Sequence, residues 1–227
     1  MRIEKEANED YFLNSLYKIR FSDEEVKQKN KIWKVLCKSF FQRYIDKEAV
    51  VLDIGSGRGE FINNICCKQK YAIDANKENA QYLSSEVNFF EDYNIGFDFL
   101  SDNSVDLIFI SNFAEHAKSK EELLGIFFAA KRILKRGGKF ILLGPNIRFL
   151  CKEYWDFFDH YLPLSHKALV EVFKAMDFRI VKVIPKFLPY TTKSMLPKNA
   201  FLVWLYLKIP IIWRLMGKQM FILCEKS

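Results

Sequence analysis

The chain has 227 residues and half of them are apolar, so it can form one domain with a sizeable core and is not a low-complexity or disordered chain. Its net charge of +7 favours anionic partners, such as phosphorylated metabolites, nucleotide sugars, anionic lipid surfaces or nucleic acid. The charged start, MRIEKEANED, has no apolar run and is not expected to be a secretory signal. The five cysteines lack metal-ligand spacing, so we expect reduced thiols, a cytosolic protein and no metal site.

Residues 1–48 are predicted to form a helical extension that packs on the core. Ser22 and Glu25 have the spacing of a capping box at a helix start. An apolar stripe at helical spacing follows, made of Val26, Trp33, Cys37, Phe40, Phe41 and Tyr44. We interpret this aromatic stripe as packing rather than as a binding site.

Residues 49–227 are predicted to form an α/β domain, because short apolar runs alternate with helical segments. Helices are expected from Glu60 to about Lys68, over Asn76–Ser85, from the capping box at Ser119 through Ile133, and from Ser165 to about Asp177. Gly137 and Gly138 are expected to end the third of these. The seven predicted strands are Val50–Ile54, Tyr71–Asp74, Val87–Phe90, Val105–Ser111, Lys139–Leu143, Phe178–Ile184 and Met220–Cys224. The pattern predicts a doubly wound, Rossmann-like, mostly parallel sheet whose last strand is antiparallel and lies at the sheet edge.

An insertion over residues 185–218 separates the last two predicted strands. Within it Ala200–Met216 is strongly apolar, but Pro210 and two basic residues interrupt it, so it is too short and too broken to span a membrane. We expect a packed helix or a lid over the acceptor site, with a helix at a membrane interface as the alternative. Its aromatic residues are Trp204, Tyr206 and Trp213, and its basic residues are Lys208 and Arg214.

A glycine-rich turn follows the first predicted strand. Gly55, Gly57 and Gly59 alternate there, and glycine lets a ligand approach the backbone closely. Without a ligand the same pattern is a tight turn between a strand and a helix. Asp74 ends the next strand, where a carboxylate would accept hydrogen bonds from ribose hydroxyls. A nicotinamide cofactor is disfavoured, because its fingerprint would need a glycine in place of Glu60.

Four consecutive segments resemble class I S-adenosylmethionine-dependent methyltransferases. VLDIGSGRGEF resembles their motif I, YAIDAN the acidic strand after it, SDNSVDLIFISNFAEH the fourth strand, and AAKRILKRGGKFILLGPN the helix and fifth strand. The resemblance covers roughly Ala49 to Asn146 and implies S-adenosylmethionine as cofactor and S-adenosylhomocysteine as product. The cofactor-binding residues that it implies are Asp53, Gly55, Ser56, Gly57, Gly59, Asp74, Ala75, Asn76, Asp92, Asn94, Ser111 and Asn112.

Further fragments, SLYKIRFSDEE, EYWDFFDHYLPLSH and LMGKQMF, resemble small bacterial methyltransferases of the type 11 kind from surface-polysaccharide and glycolipid pathways. This resemblance implies O-methylation of a sugar, a sugar-phosphate or a lipid-linked glycan, with the protein in the cytoplasm or peripheral to the membrane.

The acceptor side is predicted from the loops that follow the fourth and fifth strands. His116 and His160 lie there and are the candidate general bases, whereas His166 follows a predicted helix cap and is interpreted as structural. Asp159 and Tyr154 complete the candidate catalytic group. Asn146 and Arg148 are the candidate binding residues for a hydroxylated or phosphorylated acceptor.

Two other functions stay open at this point. The positive charge would suit a nucleic-acid methyltransferase, but the chain has no recognisable RNA-binding module and reads Ser-Asn-Phe-Ala over residues 111–114 where amine methylation would call for Asn-Pro-Pro-aromatic. A cofactor-binding scaffold without catalysis is the third possibility. The sequence leaves the oligomeric state open.

Overall fold

The computed structural model describes residues 15, 19, 23–91, 96–190 and 199–227. Seven strands form one sheet in the order β3-β2-β1-β4-β5-β7-β6, parallel except for the two antiparallel pairs that β7 makes. This confirms the predicted doubly wound, Rossmann-like α/β fold. The strands are β1 Val50–Ile54, β2 Gln69–Asp74, β3 Val87–Glu91, β4 Val105–Ser111, β5 Leu134–Pro145, β6 Phe178–Ile184 and β7 Gln219–Lys226.

Helices cover both faces of the sheet, and each face has its own core. On one face α2 (Lys120–Ile133) and α3 (His166–Ala175) bury Phe127 and Phe173. On the other face α1 (Asp23–Leu36) continues into a π-helix (Cys37–Phe41) and packs with α4 (Ala200–Lys208). A short helix α5 (Pro210–Met216) follows α4 and leads to β7. The N-terminal helix and the helical part of the insertion therefore share one core.

The position of the last strand differs from the prediction. β7 lies between β5 and β6 and not at the sheet edge, which is formed by β6. Residues 219–224 are all buried, as is typical of a strand covered on both faces. The continuous apolar run in this strand was therefore the signal of an internal strand.

The prediction that Gly137 and Gly138 end a helix is also wrong. α2 ends at Ile133 and β5 begins at Leu134, so both glycines lie inside the strand. The register with β4 shifts between Val105 and Leu107, and Gly137 has a φ of 73°. This irregularity is typical of a bulge, which glycine permits.

The two predicted helices between β1 and β3 are short 3₁₀ turns, at Ile62–Asn64 and Lys77–Tyr82. In the first turn, the side-chain amide of Asn64 donates to the Glu60 carbonyl (2.9 Å), and that of Asn63 donates to the Tyr82 carbonyl (2.9 Å). Such side-chain bonds to the backbone compete with helix formation. The glycine turn is thus not followed by a regular helix, and any anion there must be bound by loop N–H groups.

Candidate active site

The glycine turn after β1 has the backbone that only glycine adopts readily. Gly55, Gly57 and Gly59 have φ values of 68°, 52° and 75°. Gly55 also lies against Phe113, since a Cβ added at Gly55 would be 2.4 Å from Phe113 Cδ2. The loop after β4, which begins at Asn112, is therefore packed directly on the glycine turn.

The Asp74 carboxylate holds this turn in place. Its Oδ2 accepts the Gly57 N–H (2.8 Å), and its Oδ1 accepts the Asn76 N–H (2.9 Å) and the Asn79 side-chain amide (3.0 Å). Burial raises the pKa of Asp74 above its usual value, and these three donors oppose the increase. A carboxylate has about four acceptor sites, so about one remains for a ligand hydroxyl.

Two buried polar groups lie at the start of the turn. The Ile62 N–H donates to the Asp53 carboxyl, while burial and then the nearby Glu60 and Asp74 charges raise the pKa of Asp53 well above its usual value. The Ser56 hydroxyl is buried and has no hydrogen-bond partner among the described residues. An orphaned buried hydroxyl is costly unless a ligand pairs with it, so this turn fits a cofactor with polar groups.

The remaining cofactor candidates lie at the carboxyl ends of neighbouring strands. Ala75 is exposed after β2, and the Asn76 side chain accepts the Glu78 N–H, capping the 3₁₀ turn. At the end of β4 the Asn112 amide donates to the Ser111 hydroxyl (3.1 Å), and Asn112 has a φ of 48°. The other two candidates, Asp92 and Asn94, lie outside the described residues.

The loops after β4 and β5 bring three of the predicted catalytic residues together. His116 Nδ1 lies 2.8 Å from the Asp159 carbonyl oxygen and 3.4 Å from its carboxylate Oδ2. The rings of His116 and His160 are 5.1 Å apart. His160 is buried, whereas about a third of the His116 side chain is exposed. The structure therefore brings these three candidate residues together at one place.

Both histidines are oriented by backbone carbonyls. His160 Nδ1 lies 2.9 Å from the Tyr154 carbonyl, as His116 Nδ1 does from that of Asp159. Because a carbonyl only accepts hydrogen bonds, the neutral rings carry their protons on Nδ1. Nε2 is then the basic nitrogen in each ring, and in His160 it lies 3.4 Å from the Tyr190 hydroxyl.

Glu115 is a member of this group that the sequence reasoning missed. It is 2 % exposed, and its carbonyl accepts the N–H groups of Tyr161 and Leu162. Burial raises the pKa of its carboxyl to about 7, and the adjacent His116 opposes this. The available signal was an acidic residue directly before His116 in a loop at the sheet's carboxyl edge.

Two predicted residues have structural contacts that disfavour their assigned roles. Tyr154 is fully buried, its hydroxyl donates to the Leu162 carbonyl, and burial raises its pKa, so it is unsuited to proton transfer. Asn146 is also fully buried, and its amide nitrogen lies 2.9 Å from the Pro185 carbonyl and 2.8 Å from His166 Nδ1. Of the two predicted acceptor-binding residues, only Arg148 is exposed.

Known proteins resemble this chain over the glycine turn and the strands around it. Residues 52–142 match a family model described as a methyltransferase domain. This range contains the glycine turn, Asp74 and His116. A search of curated proteins found no match to this chain.

Several solved structures share the fold. A SAM-dependent methyltransferase from Archaeoglobus fulgidus has 20% identity and a TM-score of 0.65, with 95% of this chain and 99% of that chain covered. SAM-dependent methyltransferases from Methanosarcina mazei have 18% identity and a TM-score of 0.58, with coverages of 82% and 96%. Geranyl diphosphate C-methyltransferase from Streptomyces coelicolor A3(2) has 12% identity and a TM-score of 0.56, with coverages of 84% and 77%.

Proposed function

We propose that the chain is an S-adenosylmethionine-dependent methyltransferase, because residues 52–142 match a methyltransferase domain and the fold is that of such enzymes. We further propose that it methylates a hydroxyl oxygen of a sugar, a sugar-phosphate or a lipid-linked glycan. The observation that carries this proposal is the proximity of Glu115, His116, His160 and Asp159 on the acceptor side. An alcohol is a weak nucleophile until it loses its proton, and groups that promote this loss typically accelerate such reactions by ~100- to 10,000-fold.

In this proposal the protein binds the cofactor and aligns its methyl group with the acceptor. S-adenosylmethionine supplies a methyl group on a cationic sulfur and leaves as S-adenosylhomocysteine. In our proposal Asp74 accepts a ribose hydroxyl, and the turn at 55–59 with the unpaired Ser56 hydroxyl holds the methionine part. Ser111 and Asn112, at the end of β4, lie under the cofactor. Alignment of the nucleophile with the methyl group can contribute ~7–11 kcal/mol.

On the acceptor side, the group around Glu115 and the two histidines promotes loss of the hydroxyl proton. The exposed part of His116 gives the acceptor access, while the buried His160 and Glu115 lie behind it. The exposed Arg148 guanidinium is suited to a phosphate on the acceptor.

A lipid-linked acceptor would require contact with a membrane surface, for which we propose α4 and α5. Val203, Tyr206 and Leu207 of α4 are buried, so the opposite side of the helix faces outward. The large apolar side chains exposed on the two helices are Phe201, Leu202, Trp204, Leu205, Ile211, Leu215 and Met216. The sequence analysis named Trp204, Tyr206 and Trp213 together as the aromatic residues of this segment. Only Trp204 is exposed, because Tyr206 is buried and Trp213 packs on Phe40 and Phe187.

Basic residues border this apolar surface. Lys31, Lys34 and Lys38 line a groove of about 420 Å³ between α1 and Trp204, and Lys208 Nζ lies 5.7 Å from the centre of the Trp204 ring. Exposed aromatic and aliphatic side chains beside lysines suit the interface of an anionic membrane. Within the described residues, no helix is long and apolar enough to cross a membrane.

Cofactor binding is tested by calorimetry with S-adenosylhomocysteine. Asp74→Ala removes the proposed ribose acceptor and the anchor of Gly57, so we expect strongly weakened binding. Asp106→Ala is the matched control, since its carboxylate lies on the same sheet but contacts Lys135 and the Val50 N–H. Equal affinities of wild type and Asp74→Ala would refute the assigned role of Asp74.

Acceptor activation is tested by turnover on a panel of sugar and glycolipid acceptors with labelled cofactor. We expect His116→Ala to lose turnover while it still binds S-adenosylhomocysteine. Transfer to RNA in preference to every sugar acceptor would replace our proposal with the nucleic-acid alternative. Tight cofactor binding with no transfer to any acceptor would favour the scaffold alternative.

Membrane contact is tested by flotation with anionic and with neutral vesicles. Phe201→Asp combined with Trp204→Asp should abolish flotation on anionic vesicles without loss of folding, because both side chains point outward. Phe128→Asp is the matched control, because it removes an exposed aromatic residue from the opposite face of the sheet. Wild-type flotation by the double variant would exclude this surface as the contact.

A further inference from the structure

Glu115, His116 and His160 form a compact set of potential metal ligands, which we call the His–Glu cluster. One ring nitrogen from each histidine and one oxygen from Glu115 lie within 4.8 Å of one another. Within the described parts of the chain, no other group of three or more histidine, cysteine, aspartate or glutamate side chains meets this criterion. The cluster joins the loop after β4 to the loop after β5.

The spacing is wider than that of a bound cation but within reach of it. In a tetrahedral site, metal bonds to nitrogen and oxygen of about 2.0–2.2 Å place two ligand atoms about 3.4 Å apart. Side-chain movements of up to about 1.5 Å would therefore close the cluster around an ion. The backbone supports this arrangement, because the Glu115 carbonyl accepts two N–H groups from the segment that contains His160.

The orientation of both histidines is also that of metal ligands. Each directs Nδ1 at a backbone carbonyl, of Asp159 in one case and of Tyr154 in the other. Ligating histidines typically donate their second nitrogen in this way, which fixes the ring and leaves Nε2 to bind the metal. At His160 the ion would replace the contact with the Tyr190 hydroxyl, which at 3.4 Å is a long hydrogen bond.

The charge of the cluster calls for a cation. Glu115 is buried, and no lysine or arginine of the described residues lies within 4 Å of its carboxylate as an ion-pair partner. A buried carboxylate is costly unless it is protonated, paired or bound to a metal. Because part of His116 remains exposed, an ion could enter and could keep a coordination position open for the acceptor.

We propose that the His–Glu cluster binds one divalent first-row transition-metal ion, of the kind represented by Zn²⁺, on the acceptor side of the active site. Two imidazoles and one carboxylate favour such an ion over Mg²⁺, which prefers oxygen ligands. The binding itself is independent of the proposed function, but the catalytic consequence rests on it.

That consequence is activation of the acceptor. A hydroxyl group that contacts the ion has a lowered pKa and releases its proton to water. Its oxygen then forms a bond to the methyl carbon while the carbon–sulfur bond of the cofactor breaks, and the electron pair of that bond stays on sulfur. The histidines thus promote deprotonation through the ion rather than as direct bases.

The proposal is tested with Co²⁺ on chelator-treated protein, read by calorimetry and by visible absorption. The test uses a Cys66→Ser, Cys67→Ser background, because these adjacent thiols could bind the ion themselves. We expect one equivalent of Co²⁺ to bind, and Glu115→Gln and His116→Gln to lose more than about 100-fold in affinity. His166→Ala, which removes the histidine outside the cluster, should bind Co²⁺ like the parent.

The His–Glu site is refuted if the parent binds neither Co²⁺ nor Zn²⁺, or if Glu115→Gln and His116→Gln bind as the parent does in protein that unfolds cooperatively. Methyl transfer that persists in chelator would refute the catalytic consequence and leave the proposed function intact. Co²⁺ binding without methyl transfer to any acceptor would leave the site intact and refute the proposed function.

Discussion

The close contact between Gly55 and Phe113 predicts a large cost for Gly55→Ala. The backbone at Gly55 has a φ of 68°, a conformation that costs a residue with a Cβ about 1–2 kcal/mol. The new Cβ would also lie 2.4 Å from Phe113 Cδ2, and such overpacking typically costs about 1–3 kcal/mol. We therefore expect the free energy of unfolding to fall by about 2–5 kcal/mol.

Denaturant unfolding with linear extrapolation measures this loss. Gly137→Ala is the matched control, because Gly137 has a φ of 73° but no atom within 4 Å of an added Cβ, so it should lose only about 1–2 kcal/mol. Gly125 lies on α2 with no atom within 4 Å of an added Cβ, so Gly125→Ala should raise the free energy of unfolding by about 0.5–1 kcal/mol. Equal losses for Gly55→Ala and Gly137→Ala would show that Phe113 moves aside freely and would refute the steric part of the reasoning.

Three further predictions concern stability. Burial raises the pKa of Glu115 from 4.5 to about 7, so the folded state binds the carboxyl proton more tightly than the unfolded state does. The protonated carboxyl should therefore contribute fully to the free energy of unfolding below about pH 4.5, and this contribution should be lost as the pH rises to about 7. In chelator-treated protein Glu115→Gln should remove up to about 3 kcal/mol of this pH dependence, and an unchanged profile would contradict it. Ser119→Ala should cost about 1 kcal/mol in urea unfolding, because Ser119 caps α2 through the Glu122 N–H, and no loss would show that the cap is replaced by water. Tyr206→Phe should cost about 1–3 kcal/mol, because it leaves the buried Phe187 carbonyl unpaired, and a cost below about 0.5 kcal/mol would indicate that water enters.

The sequence by itself determined the parts of the protein that depend on local pattern. Strands β1, β4 and β6 have the predicted bounds, because each is a short apolar run between turn residues. The caps at Ser119 and Ser165 begin helices as predicted, because they depend on bonds within three residues. The glycine turn was recognised for the same reason, since its three left-handed residues are specified one by one.

Only the tertiary structure decided which distant groups meet. The place of β7 between β5 and β6 depends on pairing with strands far apart in the chain, which no local pattern encodes. The nearness of Glu115 to His160 likewise depends on two loops that the sheet brings to one edge, and the burial of Tyr154 depends on packing within the second loop. Charge, burial and ligand geometry at the acceptor site are long-range properties, and they therefore appear only when the chain is folded.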